Sequence, residues 1–243
     1  MRMNEMIQFL RQISGKLNSN IYAGIQGTFN PQHLSFIRNL QKEMKEKNYL
    51  DTPMQKLRVV IFDLETTGFF PEKGDRVLSI GAIKMTGATI EQDETFYSLL
   101  KSELPLSDEI ITLTNLTDNE IQNAPEAKQV LIQFFQFVNS DILVAHHSIH
   151  EKTFMQKLTW DLLKISFGHR IIDTSFLIRL SNPPLRSMSL DEICKECEIE
   201  INNRHHALGD AIMTAQIWGY YLKKAQEKGF KTMREVYEFL VKN

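Results

Sequence analysis

The chain has 243 residues, which is enough for one large domain or for one domain with a sizeable extension. A hydrophobic content of 42% and a charged content of 24% are ordinary for a globular protein with a core. No apolar run approaches the roughly 20 residues of a membrane span, and the N-terminus lacks the apolar stretch and cleavage site of a signal peptide, so we expect a cytoplasmic protein without membrane contact. The net charge of −2 neither indicates nor excludes a nucleic-acid partner, because an enzyme needs only a local basic rim around its site.

The first 56 residues carry helical patterns without visible chemistry. A first amphipathic helix is predicted from four apolar residues at helical spacing, Met6, Phe9, Leu10 and Ile13. A second helix is predicted from about Pro31. We interpret residues 1–56 as a small helical N-terminal extension that could dock a protein partner. Every motif described below follows Leu57, so we expect a chain starting near Gln55 to fold and to keep most of its activity.

The main domain is predicted at residues 57–225, followed by a C-terminal helix at 226–243 that packs on it. Three strands with short connections, at 57–65, 76–85 and 94–101, favour an antiparallel meander. Helices are then predicted at 126–140, 151–164, 189–198, 207–228 and 232–242, and further strands at 141–147 and 169–174. The order β-β-β-α-β-α-β-α-α is typical of an α/β domain with a mixed sheet flanked by helices.

Two carboxylates stand at the end of the first strand, in the stretch "IFDLETTG". Asp63 and Glu65 are two residues apart, so in a strand both side chains point to the same face and repel unless a cation lies between them. Glu151 follows a buried strand, and Asp210 lies early in a long helix. Strand ends and helix starts gather at one edge of an α/β sheet, so these four carboxylates could converge. Two divalent cations about 4 Å apart, held by such a set, are the usual clamp for hydrolysis of a phosphodiester.

His205 precedes Asp210 by five residues. A nearly neutral imidazole beside such a site is suited to accept a proton from the attacking water at physiological pH, which makes His205 the candidate general base. The alternatives are structural: a strand-end pair neutralised by lysines for Asp63 and Glu65, a favourable helix-dipole charge for Glu151, and a hydrogen-bonding histidine at His205. His146 is interpreted as a buried residue rather than a ligand.

In this order and spacing, the motifs resemble those of the DEDDh branch of the DnaQ-like 3′→5′ exonucleases, a family that includes the proofreading epsilon subunit of bacterial DNA polymerase III. The first motif, D-x-E-T-T-G, is matched by Asp63, Glu65, Thr66, Thr67 and Gly68. The third, H-x-A-L-x-D-A, is matched by His205, Ala207, Leu208, Asp210 and Ala211. The segments "LTNLTDNEIQNAP" and "IIDTSFLIRL" resemble further parts of the family, and together these matches span roughly residues 57–225.

The resemblance implies a ribonuclease H-like fold, two Mg²⁺ or Mn²⁺ ions and release of nucleoside 5′-monophosphates from a 3′ end. It implies that Asp63, Glu65, Glu151 and Asp210 bind the metal ions, with Asp63 bridging both, and that His205 is the base. Thr66, Glu109 and Thr114 match positions that contact the terminal nucleotide in relatives, although Glu109 could equally be an acid on a helix surface. The middle motif departs from the usual V-A-H-N-x-x-F-D, because "VAHHSIHE" carries His147, His150 and Glu151 in place of Asn, the aromatic residue and Asp.

The sequence leaves several alternatives open. DNA is favoured by analogy with the proofreading branch, but an exoribonuclease acting on RNA has the same motifs, and proofreading, repair and RNA turnover are not separated. A second hypothesis is a nucleic-acid-binding module that has lost catalysis, with the N-terminal helices recruiting a polymerase or another partner. Cys194 and Cys197 form a Cys-x-x-Cys pair, which we interpret as core packing rather than a zinc or redox site because no second pair exists.

Overall fold

The computed structural model describes residues 31–182 and 187–242, so the helix predicted around Met6 lies outside the described residues. Five strands form one sheet: β1 (Arg58–Thr66), β2 (Val77–Thr86), β3 (Thr89–Leu99), β4 (Ile142–Ala145) and β5 (Ile171–Asp173). Their order across the sheet is β3-β2-β1-β4-β5. The first three strands pair antiparallel, and β4 and β5 join on the other side of β1 in parallel. The predicted meander and mixed sheet are therefore confirmed.

Nine α-helices surround the sheet in the described part of the chain. They are α1 (Pro31–Glu46), α2 (Asp108–Thr114), α3 (Asp118–Gln122), α4 (Ala127–Val138), α5 (Ile149–Leu163), α6 (Ser175–Ser181), α7 (Leu190–Glu196), α8 (Ala207–Glu227) and α9 (Met233–Lys242). Within residues 31–182 and 187–242, none of these helices combines the length and the apolar character that crossing a membrane requires.

The central strand β1 is buried on both faces, and its period of two separates them. Val59 and Ile61 belong to one apolar cluster, which includes residues of α6 to α9. Val60 and Phe62 belong to a second cluster with residues of α1, α4 and α5. A strand covered by helices on both sides needs apolar residues at successive positions, which explains the unbroken run in the sequence. Asp63 continues the odd-numbered series and therefore lies on the α8 face.

The cysteine pair lies on and directly after helix α7, in the core of the protein. Cys194 and Cys197 are free thiols and both are buried. They lie in the first apolar cluster together with Leu190 and Ile193. The prediction that the Cys-x-x-Cys pair is a packing feature is confirmed.

Three helices were not predicted: α2, α3 and α6. Helices α2 and α3 have only seven and five residues, and their N-termini are capped by the side chains of Ser107 and Thr117. Such short helices depend on capping and on tertiary contacts more than on an apolar stripe. Strand β3 also begins five residues before its predicted start, because its first half is a largely exposed edge strand without an apolar pattern. It pairs with β2 through backbone groups and through two side-chain contacts, Thr86 with Glu91 and Lys84 with Glu94.

Helix α1 packs on the main domain. Ile37, Leu40 and Met44 are buried in the second apolar cluster. Met54 is fully buried, and its backbone N–H donates to the carbonyl of Lys231 at 2.8 Å. The described half of the N-terminal extension thus completes the core, which is a physical argument against the expectation that a chain starting near Gln55 folds unaided.

Candidate active site

The carboxyl ends of the three parallel strands meet at one edge of the sheet, as expected for an α/β site. Strand β1 ends with Glu65 and Thr66, β4 leads into the start of α5, and β5 ends at Asp173. The start of α8 approaches the same edge from one face. These elements bring together the four predicted carboxylates, Asp63, Glu65, Glu151 and Asp210, whose charges act on one another.

Gly81 allows helix α8 to come this close. It lies on β2 directly opposite Asp63 in the antiparallel pair. A Cβ atom at Gly81 would lie 2.1 Å from the backbone nitrogen of Leu208 and 2.2 Å from the carbonyl carbon of Ala207, so no larger residue fits without moving the helix. Because Gly81 has no side chain, the start of α8 can pack closely against β2. This close packing sets the distance between Asp210, which lies three residues after Ala207, and the carboxylates of β1.

Asp173 fixes the start of α5, which carries Glu151. Its carboxylate accepts hydrogen bonds from the backbone N–H of Ser148 at 2.6 Å and of Ser175 at 2.8 Å. These two bonds tie the end of β5 to the first turns of α5 and α6. Glu151 is 4% exposed and points into the protein rather than to solvent. A Glu at a helix start kept only for the helix dipole would be expected at the surface, so this alternative loses support.

The carboxylates are crowded and poorly solvated, which raises their pKa values. Burial raises the pKa of Glu65 to about 7, with a further contribution from Asp210. Burial raises the pKa of Asp210 to about 6, against the opposing effect of Arg204. Burial and then Asp173 raise the pKa of Glu151 to about 8. The pKa of Asp63 is well above its usual range, because of burial first and then the charges of Glu151, Asp210 and Glu65.

Two oxygens of this group fit a bound cation. Glu151 Oε2 and Asp210 Oδ1 are buried and have no hydrogen-bond partner among the described residues. Buried polar atoms are almost always paired, so these two atoms call for a ligand. Carboxylate oxygens are the ligands that hard divalent cations prefer, and positive charge here would reverse the pKa increases. An imidazole nitrogen of His205 and one oxygen each of Glu65 and Asp210 lie within 4.8 Å of one another.

His205 stands at the mouth of this group. It lies in the loop before α8, partly exposed, with a left-handed backbone φ of 60° that is uncommon for a residue other than glycine. Burial and the neighbouring charge of Arg204 lower the pKa of His205 below its usual value. A lowered pKa keeps the imidazole neutral at physiological pH, which is the form that can accept a proton.

The other histidines have different environments. His146 is buried, its Nε2 donates to the carbonyl of Met188 at 3.0 Å, and its Nδ1 accepts from the hydroxyl of Thr174 at 2.8 Å. Both ring nitrogens are thus occupied, as expected for a structural residue. His147 is exposed and bonds the same Met188 carbonyl. His150 is partly buried, and its Nε2 lies 3.4 Å from the hydroxyl of Thr66.

The three residues predicted to contact the nucleotide differ in their position relative to the carboxylates and in their exposure. Thr66 is at the end of β1 beside the carboxylates, and its hydroxyl donates to the carbonyl of Gly68 at 2.7 Å. Glu109 is exposed in the first turn of α2. Thr114, at the end of α2, is buried, and its hydroxyl donates to the carbonyl of Ile110 and accepts from the N–H of Leu116. The first of these bonds uses the only proton of the Thr114 hydroxyl, and the burial of this residue speaks against contact with a nucleotide.

Two exposed aromatic residues beside the site were missed by the sequence analysis. Phe69 and Phe70 follow β1 after two intervening residues and are 78% and 56% exposed. The backbone of Phe70 is held by Asp75, whose carboxylate accepts its N–H at 2.8 Å, and the Phe69 ring meets the ring of His150 edge-on at 5.7 Å. Two adjacent Phe residues shortly after a strand, where turn residues are usual, were the available signal. Exposed aromatic rings can stack on the bases of a nucleic acid.

Together, the mixed sheet and the carboxylates at its edge define a nuclease domain of the ribonuclease H-like fold. The sequence model of the RNase_T exonuclease family matches residues 60–218, and the chain belongs to this family. The resemblance to DEDDh exonucleases is thereby confirmed.

The relatives of this chain include much longer proteins. It is 29% identical over 231 residues to the PolC-type DNA polymerase III of Clostridium perfringens, covering 93% of this chain and 15% of that one. It is 33% identical over 180 residues to the PolC-type DNA polymerase III of Bacillus subtilis, covering 74% of this chain and 12% of that one. The chain thus spans only a small part of these polymerases.

Among solved structures, the nuclease domain of 3′hExo, a DEDDh family member bound to rAMP, is similar in fold. Its TM-score is 0.60, and its sequence is 20% identical over 72% of this chain and 94% of that one.

Proposed function

We propose that the chain is a metal-dependent 3′→5′ exonuclease that releases nucleoside 5′-monophosphates from DNA ends. The observation that carries the proposal is the convergence of four carboxylates from three distant segments, with two buried oxygens, Glu151 Oε2 and Asp210 Oδ1, that lack a partner within the described residues. A purely structural role does not explain these unpaired oxygens. A binding module that has lost catalysis does not explain them either, because it has no need to keep four crowded and poorly solvated carboxyl groups together.

In this proposal Asp63, Glu65, Glu151 and Asp210 would hold two divalent cations, which when bound would supply positive charge to the phosphoryl oxygens and to the departing 3′ oxygen. His205 accepts the proton of the attacking water, whose oxygen forms the new bond to phosphorus as the bond to the 3′ oxygen breaks. Thr66 and the backbone after β1 seat the last nucleotide, with Phe69 and Phe70 as stacking surfaces. Glu109 would reach the substrate only from the rim, as an exposed residue of α2.

The metal preference follows from Glu151. Glu is one methylene longer than the Asp usual at this position, so its carboxylate reaches further and is less constrained. Mg²⁺ demands near-ideal octahedral geometry, whereas Mn²⁺ takes the same oxygen ligands and binds a given site more tightly. We therefore expect activity with both ions and a preference for Mn²⁺. Turnover across a titration of each metal tests this: Glu151→Ala should be inactive, Glu151→Asp should keep measurable activity, and near-normal activity of Glu151→Ala in Mg²⁺ would remove Glu151 from the metal site.

DNA is the favoured substrate because the two DNA polymerases, at 29% and 33% identity, resemble this chain in sequence more than 3′hExo does at 20%. RNA is the second candidate, since the neighbour 3′hExo was solved with rAMP. Rates on a DNA strand and on an RNA strand of the same sequence decide between them. Asp63→Asn should abolish both rates. Asp141→Asn is the matched control, since Asp141 is a buried carboxylate at the start of β4 that pairs with Lys47 and Arg58 instead. A faster rate on RNA would replace the DNA assignment.

Association with a polymerase is proposed on the same basis. The PolC-type relatives carry the matching region within a much longer polymerase chain. The proposed contact with a polymerase is through the N-terminal residues of this chain. Co-purification of the full chain and of a chain starting at Pro31 with the replicative polymerase of the same cell tests this role. Equal capture of both would exclude residues 1–30 as the docking element.

A further inference from the structure

Arg204 contacts the proposed metal site directly and has no role in the function derived above. It lies in the loop before α8, next to His205. Its Nη1 donates to Asp210 Oδ2, and its Nε donates to Asp191 Oδ1 at 2.5 Å. Its charge also acts on Asp63 and Glu65. A single guanidinium thus links a proposed metal ligand to a carboxylate outside the group.

We propose that Arg204 is an internal counter-ion, which neutralises Asp210 in the metal-free protein and is displaced from it when a divalent cation binds. The inference rests on the proposed metal site. The guanidinium occupies Oδ2 of Asp210, and a dication bound by the same carboxylate would repel it at short range. Metal binding therefore has to overcome the contact between Arg204 and Asp210.

Asp191 gives the displaced guanidinium a place to stay. It lies in the first turn of α7, its side chain is 41% exposed, and it accepts from a different nitrogen than the one that binds Asp210. A guanidinium has five N–H donors in a fixed fork, so it can release one carboxylate and keep the other. Arg204 would therefore remain beside the site as a cation after displacement, rather than return to bulk solvent.

The competition has a directional consequence for metal affinity. A purely structural ion pair stabilises the fold with and without metal, and its loss would leave metal affinity unchanged or weaken it. A counter-ion that must be displaced has the opposite effect, because its removal makes the site more negative and removes a competitor. We expect Arg204→Met to bind Mn²⁺ roughly tenfold more tightly than the wild type, within the usual range for coupling between two sites.

The experiment measures Mn²⁺ binding by the loss of the free-ion electron paramagnetic resonance signal, without substrate or turnover. Wild type, Arg204→Met and Arg204→Gln are titrated, together with Arg234→Met as the matched control. Arg234 also pairs with an Asp, Asp51, but outside the carboxylate group, so its variant should bind Mn²⁺ as the wild type does. Thermal unfolding in EDTA and in Mn²⁺ is recorded in parallel, and both Arg204 variants should show a lower melting temperature in EDTA and a larger gain on adding Mn²⁺.

Wild-type or weaker Mn²⁺ affinity of the Arg204 variants would overturn the inference. If Arg204→Met does not fold in EDTA, Arg204→Gln carries the test, because Gln keeps an N–H donor for Asp210 but has no charge. Tight binding by the variants and weak binding by the wild type would support the counter-ion role. Absence of Mn²⁺ binding by the wild type and all variants would overturn the metal-dependent function as well, so the two failures are distinguishable.

Discussion

Replacing Glu151 with Gln is expected to stabilise the metal-free protein at alkaline pH while abolishing its nuclease activity. Glu151 is almost completely buried, and burial together with the charge of Asp173 raises its pKa from 4.5 to about 8. Between about pH 4.5 and pH 8, the folded protein therefore keeps a proton on Glu151 that the unfolded chain has released, and above about pH 8 it must bury the ionised carboxylate. Gln has nearly the same shape as Glu and stays neutral at every pH, so it avoids the cost of ionising a buried carboxyl group.

The sign and size of the effect follow from the two pKa values. A raised pKa contributes stability that is fully present below about pH 4.5 and is lost as the pH rises through about 8. The separation of these two pKa values corresponds to a contribution to the free energy of unfolding on the order of 5 kcal/mol, at about 1.4 kcal/mol for each tenfold change in proton affinity. The wild type should thus lose up to about 5 kcal/mol between pH 4 and pH 9 through this group, and Glu151→Gln should lose none of it.

Urea unfolding in EDTA, followed by tryptophan fluorescence at several pH values, measures the difference. Glu109→Gln is the matched control, because Glu109 also lies in the first turn of a helix but is exposed. Its stability should follow the wild-type pH curve. The stability of Glu151→Gln should equal that of the wild type near pH 4 and exceed it by several kcal/mol at pH 9. Parallel curves for Glu151→Gln and the wild type would refute the assignment of Glu151 as a buried carboxyl group with a raised pKa.

Three further predictions concern the base, the helix approach and the extension. His205→Ala should lower turnover about 10²–10⁴-fold and leave Mn²⁺ binding within a few-fold of the wild type; a wild-type rate would rule out His205 as the base. Gly81→Ala should displace the start of α8 and sharply reduce activity, whereas Gly168→Ala, whose new Cβ would lie 3.5 Å from a flexible Met side chain, should be nearly silent in the same assay. A chain starting at Gln55 lacks four buried apolar residues of the core, and the burial of each contributes roughly 1.5–3 kcal/mol to stability. Calorimetry should therefore show this shortened chain to be unfolded or only marginally stable. A wild-type melting temperature would instead support an independently folding domain at residues 57–225.

The predictable part of the fold was carried by strong, local patterns. The run from Val59 to Phe62 is apolar at every position, as a strand buried on two faces requires, and α8 is long enough for its apolar spacing to be unmistakable. Asp63 and Glu65 could be assigned to one face because the strand period is two. Their convergence with Asp210 followed from the rule that strand ends and helix starts share an edge.

What could not be predicted depends on three-dimensional context. The short helices α2 and α3 lack a full apolar stripe and exist because caps and the cluster around Leu78 hold them. The packing of α1 on Phe135 and its neighbours joins residues about one hundred positions apart, which no local pattern indicates. The choice of Asp191 and Asp210 as partners of Arg204 is fixed by the loop before α8, and a lone Arg next to His205 carries no sequence signal of that choice.

The central claim is that this chain removes nucleotides one at a time from a 3′ end with divalent metal ions. Its most direct test is a time course on one DNA strand labelled at its 5′ end, with Mn²⁺, in which the products of the wild type and of Asp63→Asn are resolved to single nucleotides. We expect a ladder that shortens stepwise from the 3′ end, nucleoside 5′-monophosphates as the released product, and no ladder for Asp63→Asn. Internal cuts that precede any shortening, or an intact strand in the presence of excess folded wild-type protein, would contradict it.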